Sequence, residues 1–174
     1  DFVRQCERFC AGLGVGLRVV RVSIPASDIS ALGVEAAARR YRYQAFADHL
    51  PDHAVLALAH HRDDLVETAL LQWIRGAGLE GLSAMTRLSP MQLGSRRVVR
   101  WRPLLDQGRA ELLAYAQAEG LRWIEDPTNT DTDLARNRIR HEVMPVFRSL
   151  SLGADSDMAR SIAHLQTARD LLEL

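Results

Sequence analysis

The chain has 174 residues, a length that fits one domain and excludes the small folds that depend on several disulfides. Hydrophobic residues make up 47% and charged residues 25%, an ordinary globular composition that argues against disorder. Acidic and basic residues number 22 each, so the formal net charge is zero. A zero net charge argues against indiscriminate binding of nucleic acid, but it allows a local basic face.

The basic residues are all arginine and are unevenly spread. No acid occurs from Gly81 to Leu105, although this stretch contains Arg87, Arg96, Arg97, Arg100 and Arg102. Cys6 and Cys10 fit the apolar stripe of a helix, so we interpret them as reduced core residues. The sequence contains no apolar run long enough for a membrane span, and its first residues lack the features of a signal peptide. A cytoplasmic location is therefore expected.

The first half of the chain predicts alternating helices and strands. In chain order we expect a helix at 2–13, a strand at 15–24, a loop at 25–33, a helix at 35–50, a strand buried on both faces at 55–59 and a helix at 64–75. This alternation is typical of βαβ units. It predicts an α/β fold with a parallel sheet flanked by helices.

The second half of the chain is less regular. We expect a strand at 97–101, a helix with Asp106 as N-cap ending near 119, an extended piece at 122–124, a polar loop at 125–133, a helix at 133–144 and a tail helix at 155–174. Residues 1–148 are interpreted as a catalytic domain. Residues 149–174 are interpreted as a helical linker towards an absent C-terminal domain.

Histidines and acids are densest just after the second expected strand, at His60, His61, Asp63, Asp64 and Glu67. Parallel α/β sheets bind ligands at the carboxyl ends of their strands, so a site is expected here. Asp64 and Glu67 are three residues apart and share one helical face. The pattern fits a metal site, a site for a cationic substrate or for magnesium on nucleotide phosphates, or acids that only favour the helix dipole.

Arginines form two further candidate sites. Arg39 and Arg42 share a helical face beside Tyr41 and Tyr43, which suits either phosphate binding or a solvated basic surface. Arg136 and Arg140 lie one helical turn apart, with Arg138 turned away. They fit a strip for a nucleic-acid backbone or an internal network with acids of the preceding loop. The helix end at Arg75, Gly76 and Gly78 is either a simple cap or a place where the backbone approaches a ligand.

Several of these stretches together resemble a known family. The matching stretches are 35–43, 59–68, 75–85, 102–105, and Glu125-Asp-Pro-Thr-Asn129 running into Arg136-Asn-Arg-Ile-Arg140. They resemble tRNA(Ile)-lysidine synthases, members of the PP-loop ATP pyrophosphatases with a Rossmann-like, adenine nucleotide alpha-hydrolase-like fold. The His-His-Xaa-Asp-Asp motif is shared with tRNA cytidine thiolases, whereas the last two motifs are more specific to lysidine synthases.

The resemblance implies an ATP-dependent carbon–nitrogen ligase that modifies tRNA(Ile) with a CAU anticodon. ATP adenylates the C2 oxygen of the wobble cytidine, and the ε-amine of free L-lysine then displaces AMP to give lysidine. ATP and Mg²⁺ are the implied cofactors, tRNA(Ile) and lysine are the implied partners, and a homodimer is left open.

The resemblance also implies roles for the candidate residues. Asp64 and Glu67 bind lysine, and His60 or one of the acids accepts the amine proton, whose removal at pH 7 costs about 4 to 5 kcal/mol. Asp63 has a structural role or binds magnesium. Arg42 and Arg39 bind the cytidine or its adenylate. The expected tRNA contacts are Arg75, Gly76, Gly78, Arg136 and Arg140.

One departure from the family is large. The Ser-Gly-Gly-Xaa-Asp-Ser loop, which cradles the ATP phosphates in PP-loop enzymes, does not occur in this sequence. We therefore expect about 40 or more residues, with the first strand and this loop, to precede Asp1. The chain alone is therefore not expected to bind ATP normally, its ATP-binding residues stay unknown, and it is expected to be inactive.

Three other functions are considered. A tRNA cytidine thiolase would be expected to carry a cysteine pair for an iron–sulfur cluster, yet no cysteine follows Cys10. A non-catalytic RNA-binding fragment would explain the arginine-rich stretch and the absent loop. A metal-dependent hydrolase would use His60, His61, Asp63 and Asp64.

Overall fold

A computed structural model describes residues 2–130 and 132–173, without the side chains of residues 127 and 130. The strands are β1 (Val55–Ala57), β2 (Leu88–Leu93) and β3 (Arg96–Trp101). The helices are α1 (Phe2–Gly12), α2 (Ala26–Leu32), α3 (Val34–His49), α4 (Arg62–Ile74), α5 (Leu79–Leu82), α6 (Arg109–Ala118), α7 (Ala135–Arg138), α8 (Met144–Leu150) and α9 (Ala154–Leu172). A 3₁₀ turn covers Pro127–Thr130, and a π-helical turn joins α7 to α8.

The sheet contains a parallel pair and an antiparallel hairpin, in the order β1-β3-β2. Val99 donates to the Ala54 carbonyl (2.9 Å) and Leu58 to the Trp101 carbonyl (2.8 Å), so residue numbers rise together along β1 and β3. β2 and β3 are joined through Gly94, whose φ of 57° suits a tight hairpin turn. The α/β fold with parallel strands and flanking helices is thus confirmed, with an antiparallel edge strand in addition.

The expected helices at 2–13, 35–50, 64–75 and 155–174 are confirmed as α1, α3, α4 and α9. The expected end of a helix before Pro145 is wrong, because Pro145 lies in the first turn of α8, where a missing N–H removes no helical bond. Asp106 is not an N-cap. Gly108 takes that position in α6, while Asp106 forms an ion pair with Arg87.

The expected strand at 15–24 does not form among the described residues, and the loop expected at 25–33 contains α2. Val15, Leu17 and Val19 are exposed. A β-branched sequence has strand propensity, but a strand also needs a neighbouring strand that supplies hydrogen bonds. β2 was not predicted, because its sequence contains Pro90 and has low strand propensity. It nevertheless forms a strand, since β3 supplies a neighbouring strand for it to pair with.

The chain divides into two compact units. Unit 1 comprises the described residues up to Leu56 together with Pro90–Arg100. In it, α1 buries no residue, and its free cysteines, Cys6 and Cys10, are exposed and half-buried. The expectation that they are core residues is therefore wrong. Burial of the β1 strand on both faces is also wrong, since Val55 is exposed and Leu56 alone is buried.

Unit 2 comprises Ala57–Ser89 and the described residues from Trp101 onward. Its core is built by α4, α9 and the segment between them: Leu65, Val66, Leu70, Leu105, Ile139, Met144 and Ile162. α9 packs against α4, α5 and α8, so the segment interpreted as a linker contributes to this core. The proposed division at residue 148 stays a prediction. No helix among the described residues is long and apolar enough to cross a membrane.

Candidate functional site

The acidic cluster, defined here as His61, Asp63, Asp64 and Glu67, lies at the start of α4 in unit 2. His61 is the N-cap, and its backbone N–H donates to Asp64 Oδ2 at 3.0 Å. Asp63 and Asp64 occupy the first turn, where the exposed N–H groups and the helix dipole stabilise negative charge. Local sequence therefore accounts for why these acids begin the helix.

Asp63 connects four elements of unit 2. Its Oδ2 accepts the backbone N–H of Arg109 at the start of α6 (2.8 Å), and its Oδ1 accepts Nη2 of Arg148 from α8 (3.2 Å). Arg148 also donates from Nε and Nη2 to the two carboxylate oxygens of Asp155 in α9, both at 2.8 Å. Asp63 is only 15% exposed. This geometry favours the structural role considered for Asp63.

His61 is the histidine that faces the carboxylates. Its Nδ1 lies 3.5 Å from Asp63 Oδ2, and its Nε2 lies 3.5 Å from Asp64 Oδ2. The interaction with Asp63 raises the pKa of His61 above its ordinary value against the opposing effect of burial. The same interaction, helped by the Arg109 N–H, holds the pKa of Asp63 well below its usual range.

These two shifts predict a pH-dependent stability. His61, with a raised pKa, stabilises the fold fully below its ordinary pKa, and this contribution is lost as pH rises through the raised value. Asp63, with a lowered pKa, stabilises the fold above its ordinary pKa and loses this effect in strong acid. We expect the difference in unfolding free energy between the parent and His61→Gln to shrink between pH 6 and pH 9. A difference that stays constant over this range in urea titrations would refute the pairing.

Glu67 is almost completely buried and forms a two-point ion pair. Its side chain is 2% exposed, and Arg140 donates from Nε to Oε1 (2.7 Å) and from Nη2 to Oε2 (2.9 Å). This contact raises the pKa of the Arg140 guanidinium above its usual value. A buried carboxylate requires such a partner, because desolvation without compensation is very costly.

Arg136 and Arg140, two of the arginines expected to contact tRNA, face α4 in this structure. Arg136 Nε lies 3.3 Å from Glu67 Oε2, and Arg136 Nη2 donates to Thr68 Oγ1 at 2.6 Å. Arg138 points away and pairs with Glu142, as the spacing predicts. The internal-network interpretation thus describes Arg136 and Arg140 well, although their partner is Glu67 rather than an acid of the loop. Their tRNA contacts stay predictions.

The loop before α7 is fixed by hydrogen bonds to backbone groups. Asp126 accepts the N–H and hydroxyl of Thr128 (2.9 and 2.7 Å), and Asn137 donates to the Thr128 carbonyl at 2.9 Å. His141 Nε2 lies 3.0 Å from the Asn129 carbonyl. These contacts connect the two family motifs at 125–129 and 136–140. The shared conformation gives a physical reason why the two motifs occur together.

His60 lies against a buried arginine. Arg102, which is 3% exposed, donates from Nε to His60 Nδ1 at 3.1 Å and from Nη1 to the Thr86 carbonyl at 2.7 Å. An imidazole nitrogen that accepts this bond has its lone pair occupied. His61 is therefore better placed than His60 to exchange a proton near the acids. Sequence reasoning included His61 in the cluster but chose its neighbour, because adjacency alone does not show which ring faces the carboxylates.

The glycine segment after α4 leads into α5, and the residues that follow α5 are held by α9. Gly76 has a φ of 74°, which favours glycine, and Arg75, Gly76 and Gly78 lead into α5. Gln166 Nε2 donates to the Met85 carbonyl at 2.9 Å, and Arg169 Nη1 donates to the Ser83 carbonyl at 3.2 Å. The expected role of this segment in binding tRNA stays a prediction.

Arg39 and Arg42 lie on α3 in unit 1. The Arg39 guanidinium sits 4.8 Å from the centre of the Tyr43 ring, and its Nη2 donates to the Tyr43 hydroxyl at 3.4 Å. Arg42 lines a cavity of about 750 Å³ that also contains Arg18, His49 and an apolar wall. The cations and the apolar surface suit a nucleoside or nucleotide. The acidic cluster belongs to unit 2, so the structure does not bring these two groups of site residues together within one unit.

No set of three or more His, Cys, Asp or Glu in residues 2–130 and 132–173 is arranged to hold a metal ion. The carboxylates of Asp63 and Glu67 are already engaged by arginine or backbone donors. These residues therefore do not fit a divalent cation in the arrangement described.

Comparison with known proteins identifies the family. A family model described as a PP-loop domain matches residues 1–147. The chain belongs to the PP-loop family. This match agrees with the resemblance carried by the motifs. A solved structure of the same fold is the U34-tRNA thiolase NcsA of Methanococcus maripaludis with its [4Fe-4S] cluster, at a TM-score of 0.67 and 16% identity. The match covers 95% of this chain and 57% of that one, and it supports the PP-loop fold alone.

Curated relatives of this PP-loop chain are tRNA(Ile)-lysidine synthases. The Pseudomonas aeruginosa enzyme is 47% identical over 168 residues, which cover 97% of this chain and 36% of that protein. The Xanthomonas axonopodis pv. citri enzyme is 49% identical, over 90% of this chain and 34% of that protein. The Neisseria meningitidis serogroup B enzyme is 48% identical, over 83% and 32%. The chain thus spans about a third of the length of these relatives.

Proposed function

We propose that this PP-loop chain is part of a tRNA(Ile)-lysidine synthase. The observation that carries the proposal is 47 to 49% identity to three such enzymes over 83 to 97% of the chain. The proposed substrates are ATP, free L-lysine and a tRNA(Ile) with a CAU anticodon, and the product is lysidine at the wobble position. We place this ATP-dependent ligase in the cytoplasm and include Mg²⁺ as the ion that accompanies the nucleotide.

The proposed reaction has two steps, adenylation of the cytidine and displacement of AMP by lysine. The C2 oxygen of the cytidine attacks the α-phosphorus of ATP, and pyrophosphate leaves. The ε-amine of lysine then attacks C2, the bond to the adenylate oxygen breaks, AMP leaves, and the amine loses a proton. Such phosphoryl transfer depends on positioning and on neutralising charge, so cationic groups are needed near the adenylate.

Asp64 is the acid best placed to take the lysine ammonium group. Its Oδ2 accepts the His61 N–H, whereas no hydrogen bond to its Oδ1 is described in residues 2–130 and 132–173. Arg140 Nη2 lies 4.0 Å from Oδ1, and the Asp64 side chain is 15% exposed. A carboxylate oxygen with open lone pairs favours an ammonium group, which donates up to three hydrogen bonds.

Glu67 and His61 would act beside Asp64. Glu67 is three residues from Asp64 on the same helical face and is bound by Arg140 through both oxygens, and it is proposed to line the ammonium site from that side. His61 lies within 3.5 Å of Asp64 and is a suitable acceptor for the amine proton once the lysine is bound. His60 and Asp63 stay as the other proposed members of this site, with Asp63 as its structural anchor.

The proposal is tested by the modified nucleoside that the protein makes. The full chain carrying this sequence is incubated with ATP, lysine and tRNA(Ile) of CAU anticodon, and the nucleosides are identified by mass spectrometry. Lysidine supports the proposal. A thiolated cytidine, formed with a sulfur donor, would favour the thiolase. Tight, salt-sensitive tRNA binding with no modified nucleoside would favour an RNA-binding function instead.

Arg42→Ala is expected to abolish accumulation of the adenylated tRNA. The side chain lines the large cavity of unit 1, and a guanidinium there would stabilise charge on the adenylate or its precursor. We expect a loss of about 100-fold or more in adenylate formed without lysine. The matched control is Arg40→Ala on the same helix, where Arg40 is exposed and pairs with Asp28. Normal adenylate accumulation by Arg42→Ala would exclude the role.

A further inference from the structure

The strongest unassigned feature is the pair formed by Arg148 of α8 and Asp155 of α9. The PP-loop match ends at residue 147, so both lie outside the matched domain. Nevertheless, Arg148 Nη2 reaches Asp63 Oδ1 at 3.2 Å, next to the two residues proposed to bind lysine and accept its proton. A residue outside the matched domain thus contacts the centre of the acidic cluster.

The contact geometry fixes the position of the Arg148 guanidinium. Nε and Nη2 donate to the two oxygens of Asp155, each at 2.8 Å, and this two-point contact restricts rotation of the planar group. Asp155 lies in the first turn of α9, which is anchored in the core through Ile162. Asp155 therefore fixes Arg148, and Arg148 in turn holds one oxygen of Asp63.

Asp63, held by Arg148, lies directly beside the proposed lysine site. Its second oxygen receives the Arg109 N–H and lies 3.5 Å from His61 Nδ1. The same imidazole ring faces Asp64 through Nε2. If Asp63 turned, His61 would lose the carboxylate that lies 3.5 Å from its Nδ1 and would no longer be enclosed between Asp63 and Asp64.

We propose that Arg148 and Asp155 are positioning residues for lysine attack, acting through Asp63 on His61 and Asp64. This inference rests on the proposed function and deepens it, because it makes α9 a support of the lysine site. Neither residue touches the substrates. Their loss is expected to impair the second step and to leave adenylation intact.

The first test measures substrate dependence in the full chain. Arg148→Gln and Asp155→Asn are expected to raise the KM for lysine about 10-fold or more. The KM for ATP and the amount of adenylated tRNA formed without lysine are expected to stay within about twofold of the parent. Arg148→Lys keeps the positive charge but cannot make the two-point contact with Asp155. Its lysine KM should therefore lie between those of the parent and Arg148→Gln. An unchanged lysine KM, or an equal loss in both steps, would overturn the proposal.

The second test does not depend on activity. The Arg109 amide donates to Asp63, so its hydrogen exchange reports whether that carboxylate stays in place. We expect exchange at Arg109 about 10-fold faster in Arg148→Gln. Unchanged exchange would overturn the positioning role whatever the activity. Faster exchange in a protein that makes no lysidine would instead reject the proposed function alone.

A neighbouring ion pair provides the matched control. Asp157 and Arg160 also pair on α9, at 2.7 Å, and both are more than half exposed. Asp157→Asn and Arg160→Gln remove similar charges from the same helix without touching Asp63. Both variants are expected to match the parent in lysine KM and in Arg109 exchange. If these variants raised the lysine KM and the Arg109 exchange rate as much as Asp155→Asn does, the effect would belong to α9 as a whole. That result would overturn the specific role of Arg148 and Asp155.

Discussion

Glu67→Gln is expected to lower the free energy of unfolding by about 3 kcal/mol. The side chain is 2% exposed and binds Arg140 through both oxygens, so its neutral isostere leaves a half-buried guanidinium without its carboxylate. The isosteric change leaves no cavity, and the loss therefore measures the charge pair. Urea unfolding followed by tryptophan fluorescence gives the value.

Two comparisons separate this effect from a general loss of charge. Glu142→Gln removes an exposed acid that pairs with Arg138, and it is expected to change stability by less than about 0.5 kcal/mol. The double variant Glu67→Gln with Arg140→Gln should be less destabilised than the sum of the single changes, because neither leaves the other unpaired. A loss below about 1 kcal/mol for Glu67→Gln would contradict the buried ion pair.

Asp64→Asn is expected to reduce lysine transfer at subsaturating lysine by about 100-fold, with adenylation of the tRNA retained. The open Oδ1 of Asp64 loses its charge, while the neutral side-chain oxygen can still accept the His61 N–H and cap α4. The defect should therefore appear in the lysine KM and not in folding. Asp157→Asn on α9 is the control, since that acid is exposed and pairs with Arg160 instead of a residue of the acidic cluster. Undiminished transfer by Asp64→Asn would exclude Asp64 as the lysine ligand.

The local parts of the fold could be predicted from the sequence. Helical spacing of apolar residues identified α4, and capping chemistry explains why Asp63 and Asp64 occur in its first turn. Strand pairing was less predictable. The β-branched segment 15–24 has no strand partner among the described residues, whereas β2, with its proline, pairs with β3. Propensity is a property of the segment, but pairing depends on residues elsewhere in the chain.

The candidate site shows the same limit. The motif at 60–67 was found directly, yet the partners of its acids are distant in sequence: Glu67 binds Arg140, and Asp63 binds Arg148. Arg136 and Arg140 were identified by their spacing, but spacing could not distinguish an inward contact with Glu67 from an outward contact with RNA. Arg148 and Asp155 were missed because they lie in no recognised motif. The packing of α9 onto α4 and of α8 onto α9 brings Arg148 to Asp63, with Asp155 bound to Arg148.

The central claim is that this PP-loop chain belongs to an enzyme that attaches lysine to a wobble cytidine. It is tested most directly by transfer of radiolabelled lysine, with ATP, to tRNA(Ile) of CAU anticodon and to the same tRNA with uridine at the wobble position. For a lysidine synthase we expect label on the CAU tRNA, one AMP released for each lysine attached, and no label on the tRNA with wobble uridine. No label on the CAU tRNA, or equal label on both, would contradict it.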